Sequence, residues 1–199
     1  MNQNIKQISL ISIAIISTSL SLFAGDLTKA YDMPDGKKIF EKDFLDKPTK
    51  YTLPKTCNLD DKESIARGKY LFHNINGGTA KGDAPKGLKK WIETKDKNGK
   101  VIKVAKDYGN CIACHDIENS IGGGTIGPKL VDYQKTFIKT GARDAQFVYQ
   151  KIADPRIDLA STNMTINLAS KLINEQDTCD ITAYVVSTKA VEKKTTTKK

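Results

Sequence analysis

Residues 109–116, GNCIACHD, limit what this chain can fold into more than any other segment. The pattern C-x-x-C-H places two thiols three residues apart, with a histidine directly after the second thiol. In a helical turn both thiols lie on the same side, so both can add to the vinyl groups of one haem while the histidine reaches the iron. The pattern predicts one covalently bound haem c, with Cys111 and Cys114 as thioether anchors and His115 as an axial iron ligand.

The alternatives for this cysteine pair are a redox-active dithiol and a zinc site. A thioredoxin-like pair is normally surrounded by a βαβ pattern, which is missing here, and the adjoining histidine would be a coincidence. A zinc site needs two further ligands, and the remaining Cys57, Cys179 and His73 have no finger-like spacing. Haem is therefore the favoured interpretation.

The second axial position of the iron decides the use of such a haem. A protein ligand favours electron transfer, whereas an open position favours binding of a small molecule. Beyond the N-terminal segment the candidates are Met33, Met164 and His73. Met164 lies in the polar stretch LASTNMTINL, which favours a ligand over the alternative of a methionine that only fills the core. We predict that Met164 binds the iron and that His73 ends a helix and bonds to local carbonyl groups.

The ring of His115 also needs a partner for its second nitrogen, because that hydrogen bond orients the ring and tunes the iron. We expect a backbone carbonyl of the Gly127-Pro128 turn to accept it. The two remaining cysteines, Cys57 and Cys179, are expected to pair as a disulfide in an oxidising compartment, which would contribute about 4 to 5 kcal/mol. A reactive thiol at Cys179 is the alternative.

The N-terminus reads as a secretory signal. Residues 1–24 contain one charged side chain, Lys6, then an apolar and serine-rich run that ends at Ala24. The run is short and polar for a retained membrane anchor, which is the alternative. We predict cleavage, export to the periplasm and no stable membrane insertion.

The net charge of +9 limits the kinds of partner. Residues 189–199 hold five Lys and one Glu, a composition typical of a disordered, solvated tail. Nucleic acid is an improbable partner for an exported chain without aromatic residues among its basic ones. The charge favours an acidic protein partner or substrate instead.

Hydrophobic spacing predicts three main helices. The first, DDKESIARGKYLFHN, begins with acidic residues suited to a helix N-terminus and places Ile65, Gly68, Leu71 and Phe72 on one face, with Gly68 allowing another helix to approach closely. The second is DAQFVYQKIADP, and the third begins after the cap Asn174 and presents Ile181, Tyr184 and Val185. Between the first helix and the cysteine pair, a short helix around Trp91 and a small hairpin through Asn98-Gly99 are expected.

Several segments together resemble a known family. ARGKYLF, GNCIACH, GTIGPKL and TAYV, in this order, are similar to the class I cytochrome c fold. More narrowly, YGNCIACH, TIGPKL and VYQKIADPRIDLASTNM resemble SoxX, the family of monohaem subunits of SoxAX cytochrome complexes in thiosulfate oxidation. The resemblance implies an all-α cytochrome c domain at residues 57–188, preceded by an N-terminal arm at residues 25–56. Thr165 follows Met164 where relatives commonly have proline, and residues 73–110 form a lysine-rich insertion.

The same resemblance implies a function. The chain would be the electron-transfer subunit of a SoxAX-type L-cysteine S-thiosulfotransferase, with no catalytic residue of its own. Its partner would be a SoxA-like cytochrome subunit in a heterodimer, which joins thiosulfate to a cysteine of the SoxYZ carrier. Electrons would leave to a downstream cytochrome or oxidase. The alternatives are a freely diffusing periplasmic electron carrier and a haem protein that binds gas.

Overall fold

The computed structural model describes residues 47–118 and 123–189, which belong to one compact unit. The predicted signal, most of the arm with Met33, and the tail from residue 190 lie outside the described residues. The elements in chain order are helix α1 (Lys62–His73), strands β1 (Trp91–Lys95) and β2 (Val101–Ala105), helix α2 (Ala145–Ala153) and helix α3 (Glu175–Ser187). None of the helices in these ranges is long and apolar enough to cross a membrane.

Helices α1 and α3 form the centre of the core. Helix α1 begins at the N-cap Asp61, whose carboxylate accepts a hydrogen bond of 2.8 Å from the Ser64 N–H. A Cβ atom on Gly68 would strike the Asp180 carbonyl oxygen and crowd Cβ of Tyr184, both on α3. The predicted close approach at Gly68 is confirmed. The predicted face is also buried at Leu71 and Phe72, while Ile65 is half-buried at its edge.

Helix α3 is enclosed more completely than its apolar pattern indicated. Its predicted cap is confirmed, because Asn174 and Asp177 form a reciprocal capping box. The helix packs against both α1 and α2, so its polar side chains are buried as well. Two of its carboxylates are paired: Asp180 with the Arg67 guanidinium at 2.7 Å and Asp177 with the Lys106 ammonium at 2.6 Å. Losing either basic partner would leave a buried, unpaired charge.

Helix α2 holds the end of the segment predicted as an arm. Three of its polar side chains, spaced four residues apart, face an extended strap, residues 49–53. Gln146, Gln150 and Asp154 accept hydrogen bonds from the N–H groups of residues 53, 51 and 49 at 2.7, 2.7 and 2.9 Å. In an extended chain, alternate residues point to the same side. The N–H groups of residues 49, 51 and 53 therefore all face α2, and each meets a side chain one helical turn from the next.

The predicted disulfide is present between Cys57 and Cys179, at a sequence separation of 122 residues. It joins the segment that follows the strap to helix α3 and packs with Tyr149 and Ala153 of α2 in a small second core. In the entropic account such a cross-link stabilises mainly by restricting the unfolded chain. The alternative of a reactive thiol at Cys179 is wrong for this oxidised form.

The insertion contains the two-stranded antiparallel sheet, in which Trp91 pairs with Ala105 and Lys95 with Val101. The predicted hairpin through Asn98-Gly99 is confirmed, and Gly99 takes the left-handed conformation that the turn requires, with φ of 78°. The predicted helix around Trp91 is wrong, because that residue begins β1. Backbone pairing with the β-branched residues of β2 outweighs the helix pattern there.

The described residues thus contain three α-helices and one two-stranded sheet, with short 3-10 turns at Cys111–Ala113 and Pro155–Ile157 and a π-helical turn at Gln134–Ile138. The π-helical turn is a feature that the sequence patterns did not predict. This set of elements does not by itself establish a class I cytochrome c fold, and that assignment stays a prediction.

Candidate haem site

The cysteine pair lies on a tight turn held by the end of helix α1. The N–H of Asn110 donates to the carbonyls of Leu71 and Asn74 at 3.2 and 3.1 Å. Asn110 itself is left-handed, with φ of 45°, which asparagine tolerates better than most residues. The chain then enters the 3-10 turn, closed by the Cys114 N–H donating to the Cys111 carbonyl at 3.0 Å.

This turn suits two covalent links to one flat ligand. A 3-10 helix has three residues per turn, so Cys111 and Cys114 lie on the same side of it. Both cysteines are free thiols and are not joined to each other. Cys111 packs against the main core, and burial raises the pKa of its thiol to about 12.

Among the described residues, one nitrogen of the His115 imidazole has a hydrogen-bond partner and the other has none. Its Nδ1 lies 2.8 Å from the Pro128 carbonyl oxygen. Because a carbonyl can only accept, Nδ1 carries the proton and Nε2 keeps its lone pair, which is the form that binds a metal. The predicted acceptor in the Gly127-Pro128 turn is therefore confirmed.

The loop after the motif is bonded to it through backbone groups. The N–H groups of Gly124, Gly127 and Leu130 donate to the carbonyls of residues 112, 114 and 116 at 2.9, 2.8 and 2.7 Å. A Cβ atom on Gly127 would overlap the imidazole of His115. Residue 127 must therefore be glycine for the loop to lie against the ring.

Met164 lies in a loop between α2 and α3 that is held by side chains. Its N–H donates to the Thr162 hydroxyl at 3.1 Å, and its carbonyl accepts from the Asn167 amide at 2.9 Å. Asn167 is buried and exchanges further hydrogen bonds with Ser170. Met164 is half-buried and packs against the same core cluster as Cys111. Its role as an iron ligand stays a prediction.

His73, the other histidine, is engaged elsewhere. It is the last residue of α1, as predicted, but its Nε2 lies 2.9 Å from the Tyr184 hydroxyl of α3. The expectation that its ring bonds to local carbonyls is therefore wrong. Burial lowers the pKa of His73, so its neutral form is favoured. This histidine serves the contact between the two helices.

The donor set fits a covalently attached haem. Two same-side thiols, one imidazole with a free Nε2 and one thioether are the groups that such a haem takes. Among residues 47–118 and 123–189, no cluster of three or more His, Cys, Asp and Glu side chains could hold a bare metal ion. No protein-family model matches this chain, and no curated protein is significantly similar to it.

Sequence reasoning missed the residues that hold the two loops. Asn110, at the start of the turn, could have been suspected because asparagine is common in left-handed positions. Asn167 gave no signal, because a single asparagine in a polar stretch does not reveal that it is buried.

Proposed function

We propose that this chain is a monohaem c-type cytochrome that transfers electrons in the periplasm. The observation that carries the proposal is the hydrogen bond between His115 Nδ1 and the Pro128 carbonyl, which leaves Nε2 ready to bind iron. Metal-binding histidines almost always donate their second ring N–H to an acceptor of this kind, which orients the ring.

Each residue has a distinct part in the proposal. Cys111 and Cys114 would provide two thioether bonds, and His115 and Met164 the two axial bonds. The haem would supply one-electron redox chemistry when bound. The Pro128 carbonyl holds the imidazole in one tautomer and makes Nε2 a stronger donor. The core beside Cys111 excludes water from that side of the site.

The narrower proposal is that the chain is the SoxX-like subunit of a SoxAX-type L-cysteine S-thiosulfotransferase. It is supported by the resemblance of the segments around Cys111, Pro128 and Met164. Joining thiosulfate sulfur to a cysteine sulfur of SoxYZ removes two electrons, with the chemistry on the SoxA-like partner. A protein with one haem would take these electrons one at a time and pass them to a cytochrome or oxidase.

The haem proposal is tested by producing the full chain in a host with cytochrome c maturation. The purified protein is expected to carry one haem per chain by mass, with the signal removed. Replacing Met164 by Ala should abolish the long-wavelength charge-transfer band of an oxidised iron bound by methionine. Met33→Ala is the matched control and should retain it. Retention of the band in Met164→Ala would exclude Met164 as the ligand.

The complex is tested separately, in the native host. The chain is expected to co-purify with a SoxA-like cytochrome subunit, and its deletion should stop thiosulfate-dependent electron flow. A haem-loaded monomer whose deletion leaves that flow intact would favour the freely diffusing carrier instead. This result would leave the haem proposal standing.

A further inference from the structure

The hairpin presents an apolar face that the proposed haem site does not use. We name it the hairpin groove; it comprises Ile92, Thr94, Ile102 and Val104 of the two strands together with Leu172 from the loop before α3. Ile92, Ile102 and Leu172 are 40%, 36% and 50% exposed. A two-stranded sheet with large apolar side chains in water is marginally stable by itself, so such a face favours a binding role.

The two faces of the hairpin differ. The strand pairing puts Ile92 opposite Val104 and Thr94 opposite Ile102, so these four residues share one face without a charge. The other face carries Glu93, Lys95 and Lys103, and at its base Gly78 lies against Trp91 and Ala105. Trp91 and Val101 on that face are also exposed, at 45% and 57%, so the hairpin groove differs from it in carrying no charged side chain and not in being more open.

The uncharged face continues into a shallow pocket of about 260 Å³ beside the start of α3. Ile92, Lys171 and Leu172 line it together with Asp107 and the Lys106–Asp177 ion pair, and Lys89 lines the adjoining pocket. Lys171 is left-handed, with φ of 62°, a conformation that costs a non-glycine residue energy. That backbone directly precedes the exposed Leu172.

Charge determines which occupant fits. Residues 89–106 contain seven Lys and two acidic residues, a net charge of +5. Lys106 is paired with Asp177, but Lys89 and Lys171, which line the two pockets, form no ion pair with any residue in the described ranges. A second copy of this basic chain, or its own lysine-rich tail, would add like charge. The complementary occupant is an acidic protein.

We propose that the hairpin groove docks a separate acidic protein, which inserts an apolar side chain between Ile92 and Leu172 and places carboxylates near Lys89 and Lys171. The apolar contact provides the affinity, while the lysines guide the encounter and select the partner. The groove does not involve the haem ligands, so this proposal and the proposed function can fail independently.

The test begins with a photocrosslinking amino acid at position 102 of the full chain in its native host. Position 101 is the matched control, because Val101 is 57% exposed but lies on the other face of the same strand. Position 102 is expected to capture a separate protein of net negative charge, and position 101 is not. The captured protein is then purified and its binding to this chain is measured.

Ile102→Glu should weaken that binding at least about tenfold, because it removes an apolar contact and repels carboxylates. Val101→Glu should change it by no more than about twofold. The affinity for the unmodified chain should fall as salt is added. Leu172→Glu provides a second variant if Ile102→Glu does not fold. Equal effects at positions 101 and 102, or crosslinks only to a second copy or to residues 25–46 of the same chain, would overturn the proposal.

Discussion

The loop that holds His115 and the loop that holds Met164 are stabilised by different groups. The first, from residue 123 to 130, is joined to the cysteine turn by backbone hydrogen bonds and by the close fit of Gly127 against the ring. The second depends on side chains, chiefly the buried Asn167. Backbone bonds survive most substitutions, whereas a loop held by one amide can be loosened by one mutation.

The Met164 loop begins next to a buried carboxylate, that of Asp154. Asp154 caps the 3-10 turn Pro155–Ile157, is fully buried, and accepts two hydrogen bonds from the Arg156 guanidinium at 2.9 and 2.8 Å. It also accepts from the Thr49 N–H at 2.9 Å, so it joins the strap to this loop. In the His115 loop, by contrast, Lys129 pairs with Asp116 at 3.2 Å and its ammonium group is largely exposed. The comparison predicts that the Met164 loop is more easily destabilised by mutation than the His115 loop, and that it loses more stability in acid.

The largest effect is expected from Asp154→Ala. The change leaves the mostly buried Arg156 without its carboxylate and should lower the free energy of unfolding by about 3 to 5 kcal/mol. Asp158→Ala is the control, because the Asp158 pair with Lys151 is more exposed and should cost at most about 1 kcal/mol. Denaturant titration measures both, and equal losses would contradict the comparison.

Acid should act through the same carboxylate. The hydrogen bond from Arg156 is the main reason that the pKa of Asp154 lies below its ordinary 3.8. A lowered pKa in the folded state contributes stability that is complete above the ordinary value and is lost as pH falls through the folded-state pKa. Asp154→Asn should therefore show a smaller loss of stability below pH 3.8 than the unmodified chain when denaturant titrations are compared across this range, and an equal loss would contradict the role of Asp154.

Gly127→Ala is the change in the His115 loop that acts directly on the ring. The new methyl overlaps the imidazole, so the ring must move from the Pro128 carbonyl, at a cost of about 1 to 3 kcal/mol. We also expect a lower yield of haem-loaded protein, measured by absorbance per chain. Gly78→Ala is the control, because its nearest contact would be 3.3 Å away. A normal yield from Gly127→Ala would show that the loop adapts.

A comparable or smaller effect is expected from Asn167→Ala. It removes the donor to the Met164 carbonyl and leaves buried groups unpaired, at a cost of about 1 to 3 kcal/mol. Asn163→Ala, at an exposed position of the same loop, should change the free energy of unfolding by no more than about 0.5 kcal/mol. Hydrogen exchange of the Met164 N–H should quicken in the first variant only. Equal exchange in both would show that Asn167 does not hold the loop.

Local patterns accounted for much of the fold. The caps at Asp61 and Asn174 and the apolar faces of the helices follow from short-range rules, and all three predicted helices are present. Trp91 is the exception, because the partner strand that makes it extended lies ten or more residues away. Propensity could not anticipate that pairing.

The candidate site likewise has features that the sequence predicted and features that it did not. The cysteine turn, His115 and its acceptor at Pro128 follow from residue spacing and from the chemistry of imidazole. The supporting role of Asn167 could not be predicted from the sequence, because it depends on burial by elements that are distant in the chain. The hydrogen bonds of Gln146, Gln150 and Asp154 to the strap could not be predicted either, because they require that the helix and the strap already lie side by side.

The sequence by itself determined where haem can attach, since covalent chemistry requires two thiols and an imidazole at a set spacing. It also determined where the helices begin, because capping is local. Only the tertiary structure decided that α3 is enclosed by both α1 and α2 and that the hairpin has one face without a charged side chain. The physical reason is that burial and charge pairing are properties of residues brought together from distant parts of the chain.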